Sequence, residues 1–355
     1  MKPTVFIHRD VENAAMLDRI AADLGATGVN VLRGKLPSGP GNRADYDEEA
    51  ANGFFAECDA MMFGTRSYCS RNVLESAPKL LGLVNPTIGL DTVDVQAANA
   101  LGIIIGHGPV PENYIGMAEA TVMLILNLMY QLHVAQEVLR GTRSRPPLTD
   151  AHASMLRGRT IGMIGFGRIA RCAAQRLAAF DVRILVATRS RPADLPGDVE
   201  RVEADAVFGE SDVVCLFASA DESNRKLVDA KALARMKRTA YFVNTARGSL
   251  VDEDALYLAL KERRIAGAAL DTFVTEPLPT ESPLRMLDNV ILTPHMVGHT
   301  KEVLPALVDM AIQNVTRILR HELPVCCKNP QIEPAWRVRL SNLPARDAHP
   351  PLPLR

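Results

Sequence analysis

The stretch TIGMIGFGRIA, residues 160–170, constrains the fold of this chain more than any other. An apolar, strand-like run ends at Ile164, and Gly165-Phe166-Gly167-Arg168-Ile169-Ala170 follows at once. Ile169, Ala173, Leu177 and Phe180 then recur on one face at helical spacing. This is G-x-G-x-x-A between a strand and a helix, the context in which that pattern carries a nucleotide. Gly165 permits the tight turn, Gly167 lets the backbone approach a pyrophosphate with no Cβ in the way, and Ala170 is small enough for close helix–strand packing. The helix N-terminus offers N–H groups and a partial positive charge to phosphates, and Arg168 adds a charge-assisted contact.

The same βα alternation runs through the chain. Apolar runs near 4–8, 60–63, 81–84 and 103–105 predict strands of a first sheet. Runs near 160–164, 183–187, 213–217, 241–244, 267–270 and 290–292 predict those of a second. Strands alternating with helical stretches predict parallel sheets covered by helices on both faces. Residues 117–132 predict a long apolar helix, followed by the basic, proline-containing segment RGTRSRPPLTD. After His295 comes one long helix, with Leu304, Leu307, Ala311, Val315 and Ile318 on its buried face. From Trp336 the prolines at 344, 350, 351 and 353 predict an extended tail.

Composition narrows the function. The 355 residues suit about two domains. Lys+Arg 40 against Asp+Glu 41 gives a net charge of −1, which argues against a nucleic-acid or membrane-surface partner. Aromatics at 5% leave little for stacking on single strands. Cys58, Cys69, Cys172, Cys215, Cys326 and Cys327 form no C-x-x-C pair and stand near no histidine cluster, so no metal is expected and the thiols read as buried and reduced. The N-terminal apolar stretch is too short for a signal-peptide core, and 118–132 is too short for a bilayer span, so the chain reads as cytoplasmic.

The strand after the glycine turn ends RILVATRSR. A dinucleotide fold expects Asp or Glu there for the adenosine ribose 2′-OH. Thr188, Arg189, Ser190 and Arg191 stand there instead, and nothing in that run repels a 2′-phosphate. The reading is NADP(H) favoured over NAD(H), with a solvated basic loop as the alternative. S-adenosylmethionine is the rival ligand of the glycine turn.

Three more strand ends carry acid–base chemistry. NTARGSLVDEDAL places Arg247 at a carboxyl edge, where a bidentate cation suits an α-keto acid, unless it pairs with Asp252 or Glu253. ALDTFVTEPLP brings Asp271 and Glu276, and LTPHMVGHT brings His295 and His299. A carboxylate beside a histidine fixes the tautomer and favours the imidazolium, which makes a proton shuttle.

At this point the residues resemble the D-isomer-specific 2-hydroxyacid dehydrogenases. The resemblance covers roughly 59–330 and rests on NPTIGLDTVD, GRTIGMIGFGRIAR, MKRTAYFVNTARGSLVDEDAL, and AGAALDTFVTEPLP with NVILTPHMVGHT. It implies two doubly wound parallel-sheet domains with a cleft between them. A Rossmann dinucleotide domain, 107–296, would be inserted into a flavodoxin-like substrate domain, 1–106 with 297–335, leaving 336–355 as a tail. It also implies a homodimer formed through the dinucleotide domain. Arg247 would bind the substrate carboxylate and carbonyl oxygen, His295 would donate the proton, and Glu276 would hold His295. Asp271 would contact the nicotinamide carboxamide, Ile88 and Gly89 would offer N–H groups to the carboxylate, and Asn113 would lie near the cleft. The cofactor set would be Gly165, Gly167, Arg168, Ile169, Thr188, Arg189, Ser190, Arg191, Thr245 and Asp271.

Departures from the family pattern sharpen the expectation. Gly64 falls where phosphoglycerate dehydrogenases tend to carry Arg, which weakens a phosphorylated substrate, although a D-3-phosphoglycerate dehydrogenase stays an alternative. Ser219 replaces a common Pro, and His299 is either a second cleft imidazole or a solvated loop residue. Glu276, where formate dehydrogenases have Gln, argues against formate oxidation. The reading is a hydride-transferring NAD(P)H-dependent 2-keto acid reductase. Its non-enzymatic alternative is an NAD(H)-regulated scaffold like the C-terminal binding protein corepressors.

Overall fold

The structure is a computed structural model that describes residues 2–37, 43–147, 153–189, 195–197 and 199–343. The chain divides into two compact units, Met1–Glu112 with Thr300–Arg355, and Asn113–His299.

Unit 1 holds five parallel strands, β1 (Thr4–Ile7), β2 (Asn30–Arg33), β3 (Ala60–Met62), β4 (Gly82–Val84) and β5 (Ile104–Gly106), in the order β2-β1-β3-β4-β5. The period-2 alternation of strand side chains sends Val5, Ile7 and Met62 to one face, against the helices Ala14–Ala26 and Val303–Leu319. Phe6, Met61 and Phe63 face the other way, against Tyr46, Phe55 and Val73. The strand order reverses between β1 and β3, so the carboxyl ends of those strands, followed by His8 and Gly64, form a topological switch point.

Unit 2 holds seven parallel strands, β6 (Thr160–Ile164), β7 (Arg183–Ala187), β8 (Val199–Arg201), β9 (Val213–Leu216), β10 (Tyr241–Asn244), β11 (Gly267–Leu270) and β12 (Val290–Leu292), in the order β12-β11-β10-β9-β6-β7-β8. Ile161 pairs with both Ile184 and Val213, and that register stacks Ile161, Met163, Val186 and Cys215 under the helices Pro111–Tyr130 and Arg168–Leu177. Leu185, Val214, Phe242 and Ala268 line the opposite layer, under Ala204–Glu210, Ala230–Arg235 and Glu253–Lys261. Both units are therefore doubly wound.

Four sequence expectations need correction. β2 and β8 add an edge strand to each sheet beyond those the pattern predicts, because NVLR and VER are short and offer few apolar residues. The apolar helix ends at Tyr130, where Gln131 turns left-handed (φ 50°) and starts a second helix, Leu132–Leu139. In the C-terminal helix Leu304 is 45% exposed, because Val303 takes the inward position of the first turn. The tail does not begin at Trp336: Glu333–Asn342 is a helix, Trp336 is buried, and its indole N–H donates to Leu81 O at 2.7 Å. The indole and the Arg339 guanidinium, which donates to Leu80 O and Leu101 O, dock this helix, although the residues beyond it are rich in proline. Residues 344–355 lie outside the described residues.

Of the cysteines, Cys58, Cys69 and Cys215 are buried, while Cys172, Cys326 and Cys327 are half-exposed, so only half match the expectation of burial. Among the described residues no group of three or more His, Cys, Asp or Glu is placed to hold a metal, and no single helix is long and apolar enough to cross a membrane.

Candidate active site

In unit 2 the functional side chains leave the sheet at its carboxyl edge. Gly165 turns the chain with φ 92°, and its N–H donates to Ala187 O at 2.8 Å. A Cβ here would come within 2.6 Å of Ala218 N, so the turn is pressed against the loop that follows β9. At Gly167 a Cβ would meet nothing within 4 Å. Gly167 is also the N-cap of Arg168–Leu177, and a glycine cap brings no side chain to occupy the first-turn N–H groups. Such a cradle fits a pyrophosphate. Arg168 is exposed at the first helical position, Ile169 is half-buried and Ala170 fully buried, as the packing argument requires.

At the end of β7, Thr188 is half-buried and its carbonyl accepts from Arg201 Nη2 at 3.0 Å. Arg189 is exposed, and its Nη2 pairs with Asp221 Oδ2 at 2.6 Å while its Nη1 donates to Ser223 Oγ at 3.0 Å. The local run contains no carboxylate, yet the fold brings one to it from the loop after β9. The Arg189 guanidinium and the Ser223 hydroxyl hold the Asp221 carboxyl down to about 2. Ser190 and Arg191 lie outside the described residues.

The three strand ends β10, β11 and β12 converge. Asn244 folds the first of them: its Oδ1 accepts from Ala246 N and its Nδ2 donates to Arg247 O, which presents the half-buried Arg247 side chain just beyond β10. Arg247 Nη1 donates to Ala246 O at 2.8 Å. Gly248 packs on the backbone of Phe273 so closely that a Cβ would lie 1.9 Å from Phe273 C, which locks the Arg247 turn onto the loop after β11. Asp252 caps the helix Glu253–Lys261 and pairs with Lys226 at 2.9 Å, and Glu253 Oε1 accepts from Val274 N at 2.5 Å. Burial raises the Glu253 carboxyl above its usual range.

That second loop carries Glu276, whose Oε1 accepts from Phe273 N at 3.1 Å and whose Oε2 lies 2.9 Å from His295 Nδ1. His295 sits in the left-handed region, φ 53°, which a β-carbon disfavours. Asp271 holds the loop there. Its buried Oδ1 accepts three bonds, from Thr293 Oγ1 at 2.7 Å, Met296 N at 3.0 Å and Val297 N at 3.2 Å. Burial raises the Asp271 carboxyl, and those donors oppose the rise. Gly298 then passes the Met117 thioether, which would have to shift for a Cβ, and His299 is exposed on the turn. The buried Thr245 hydroxyl meets Thr121 Oγ1 at 3.2 Å, and Asn113 is half-buried at the start of Pro111–Tyr130.

In unit 1, Ile88 and Gly89 lie half-exposed in a loop organised by buried Asn85. Asn85 Oδ1 accepts from Thr87 N at 2.8 Å, and its Nδ2 donates to Gly89 O at 2.8 Å. At Gly64 a Cβ would lie 2.6 Å from His8 Nε2, so that position has no room for an arginine while His8 stands where it does. Burial lowers the His8 imidazole to about 4.

Several of these residues carry no mark in the sequence. Thr293 and Asn85 are ordinary turn-formers whose partners appear only in the fold. The Asn-Pro dipeptide at 85–86 was the one available signal for Asn85.

Comparisons place this geometry among known proteins. The model of the "D-isomer specific 2-hydroxyacid dehydrogenase, NAD binding domain" matches residues 122–297. The glyoxylate reductase of Thermofilum pendens is 34% identical over 279 residues, 77% of this chain and 82% of that protein. Glyoxylate/hydroxypyruvate reductase B of Klebsiella pneumoniae is 31% identical over 337 residues, 94% of this chain and 100% of that protein. Among solved structures, an NADPH-dependent glyoxylate/hydroxypyruvate reductase from Sinorhizobium meliloti, in complex with NADP and malonate, superposes with a TM-score of 0.78. The two are 26% identical, covering 92% of this chain and 97% of that one.

Proposed function

Since the chain belongs to the D-isomer-specific 2-hydroxyacid dehydrogenase family, we propose that it reduces small 2-keto acids to D-2-hydroxy acids and takes NADPH in preference to NADH. As a member of that family it is an NAD(P)-dependent oxidoreductase acting on a CH–OH group.

The observation that carries the reading is the contact of His295 Nδ1 with Glu276 Oε2 at 2.9 Å, on the two strand ends next to that of Arg247. With Nδ1–H directed at the carboxylate, Nε2 is the atom left to hold and release a proton. His295 donates that proton to the keto oxygen, and Glu276 keeps the ring in place before and after the transfer. Arg247 binds the substrate carboxylate and polarises the carbonyl with a charge that no working pH removes. The bound nicotinamide cofactor supplies the hydride. Asp271 Oδ2, which takes no part in the three loop bonds, is assigned to the carboxamide. Gly165, Gly167, Arg168 and Ile169 receive the pyrophosphate, Thr188, Arg189, Ser190 and Arg191 the ribose end, and Thr245 borders the nicotinamide side. Ile88 and Gly89 are assigned to the substrate carboxylate, and Asn113 to the same substrate.

Gly64 favours an unphosphorylated substrate, because an arginine there would displace His8. The same reading includes a homodimer, supported by the exposed apolar side chains of Met123, Tyr130, Leu132 and Leu139 on Pro111–Tyr130 and Leu132–Leu139. The test is a reductase screen of glyoxylate, hydroxypyruvate and other small 2-keto acids with each cofactor. Turnover with NADPH exceeding that with NADH is expected. Binding of cofactor with no turnover on any keto acid would favour the corepressor-like scaffold instead.

A further inference from the structure

We infer that Arg201, Asp221 and Ser223 set how strongly this site selects a 2′-phosphate: Arg201 as a fixed second cation, and Asp221, steadied by Ser223, as an internal carboxylate that competes with the phosphate for Arg189. The inference rests on the proposed preference for NADPH and names the residues that tune it.

Arg201 ends β8, where the parallel register sets it beside Val186 of β7. Its Nη2 donates to the carbonyl of Thr188, at the position where the dinucleotide fold reads the adenosine ribose. That bond uses one of the five N–H donors of a guanidinium. It anchors the charge at the strand end and leaves the other donors for a ligand. Neighbouring β7 and β8 thus contribute one arginine each to one strand edge. Nothing in the sequence marks Arg201, because nothing in it marks β8.

Asp221 is built to stay where it is. Its Oδ1 accepts from Ser223 N at 2.9 Å and from the Ser223 hydroxyl, and its own N–H donates to Asn224 Oδ1 at 2.7 Å. Asn224 Nδ2 is tied in turn to Ser219 O at 2.8 Å. The turn therefore presents Oδ2 to Arg189 in one fixed position, and the carboxyl stays ionised at any working pH. A 2′-phosphate carries close to two negative charges near neutrality. It seeks the guanidinium that Asp221 already holds. The Arg189 and Asp221 side chains are 69% and 46% exposed, so the pair is solvated and a phosphate can displace it. NADH, without that phosphate, has no reason to disturb it.

The test is equilibrium titration of the full-length protein with NADPH and with NADH, followed by nicotinamide fluorescence with no keto acid present. In Arg201→Gln the Kd for NADPH should rise about 10-fold, the loss of a charge-assisted contact, with NADH within about 2-fold of wild type. In Asp221→Asn the Kd for NADPH should fall about 3-fold or more, again with NADH unmoved. Both positions are polar surface sites, and circular dichroism checks the fold. An unchanged NADPH Kd in Arg201→Gln, or equal weakening of both cofactors, overturns the role of Arg201. Weaker NADPH binding in Asp221→Asn overturns the competition. A wild-type protein that binds NADH more tightly would instead defeat the cofactor reading itself.

Discussion

At β10 to β12 the carboxyl edge of unit 2 holds its carboxylates buried or partly buried and bonded to the loops, whereas at β7 and β8 the charges lie in solvent. Asp271 is 1% exposed and one of its oxygens accepts three bonds, and Glu276 accepts from a backbone N–H with one oxygen and meets His295 with the other. Arg189 and Asp221 are a surface pair held by a short polar turn. The difference follows from the two tasks. Proton transfer needs atoms held to a fraction of an ångström, and carboxylates tied into the loop backbone supply that. Discriminating one phosphate needs only net charge at the right strand end, and exposed side chains supply it at little cost in stability.

The contrast is broken most directly at His295. In His295→Ala, kcat with glyoxylate or hydroxypyruvate should fall by about 10²–10⁴, the range expected for loss of a general acid. The Kd for either cofactor should stay within about 2-fold, because the pyrophosphate turn and the end of β7 are untouched. Turnover close to wild type would remove the proton-donor role. A cofactor Kd that moved as far as kcat would mean that the two ends are not separable.

A smaller effect is expected at Thr293, whose hydroxyl donates to Asp271 Oδ1 at 2.7 Å. Thr293→Val keeps the side-chain shape and takes away one of three donors from a buried carboxylate. Stability should drop by about 1–3 kcal/mol. Because the same carboxylate holds the left-handed turn at His295, kcat should drop about 5-fold as the imidazole loses its aim. Thermal melts and steady-state kinetics check both. Lost stability with an unchanged kcat would confine Asp271 to the fold and detach it from the placement of His295.

Legibility in the sequence tracks this division. Arg247, Glu276 and His295 lie in the loops that follow the apolar strands β10, β11 and β12, so period and turn signals suffice to bring them to one sheet edge. The glycine turn is legible because Gly165 answers to a local steric demand and Gly167 keeps the space in front of the helix open. The ribose end was read only in part. Asp221 lies 32 residues from Arg189 and reaches it only because the loop after β9 folds over the Gly165 turn. Arg201 sits on an edge strand, VER, where charge masks any apolar alternation. Trp336 is hidden for a related reason: the prolines after it dominate the composition, while its buried indole and the Arg339 bonds appear only in the fold.

The smallest effect is the one that tests the solvated end as a whole. Raising ionic strength from about 50 mM to about 500 mM shortens the screening length from more than 10 Å to roughly 4 Å. Charges in water feel this, and the half-buried triad feels it far less. The KM for NADPH should therefore rise about 3-fold across that range, while kcat at saturating cofactor stays level. The KM for NADH should move by less than about 1.5-fold, since it lacks the phosphate that Arg189 and Arg201 address. Equal responses for the two cofactors would place the salt-sensitive contact at the pyrophosphate both share, beside the exposed Arg168, and not at the end of β7. Selectivity would then reside in something other than the surface charges on which the contrast depends.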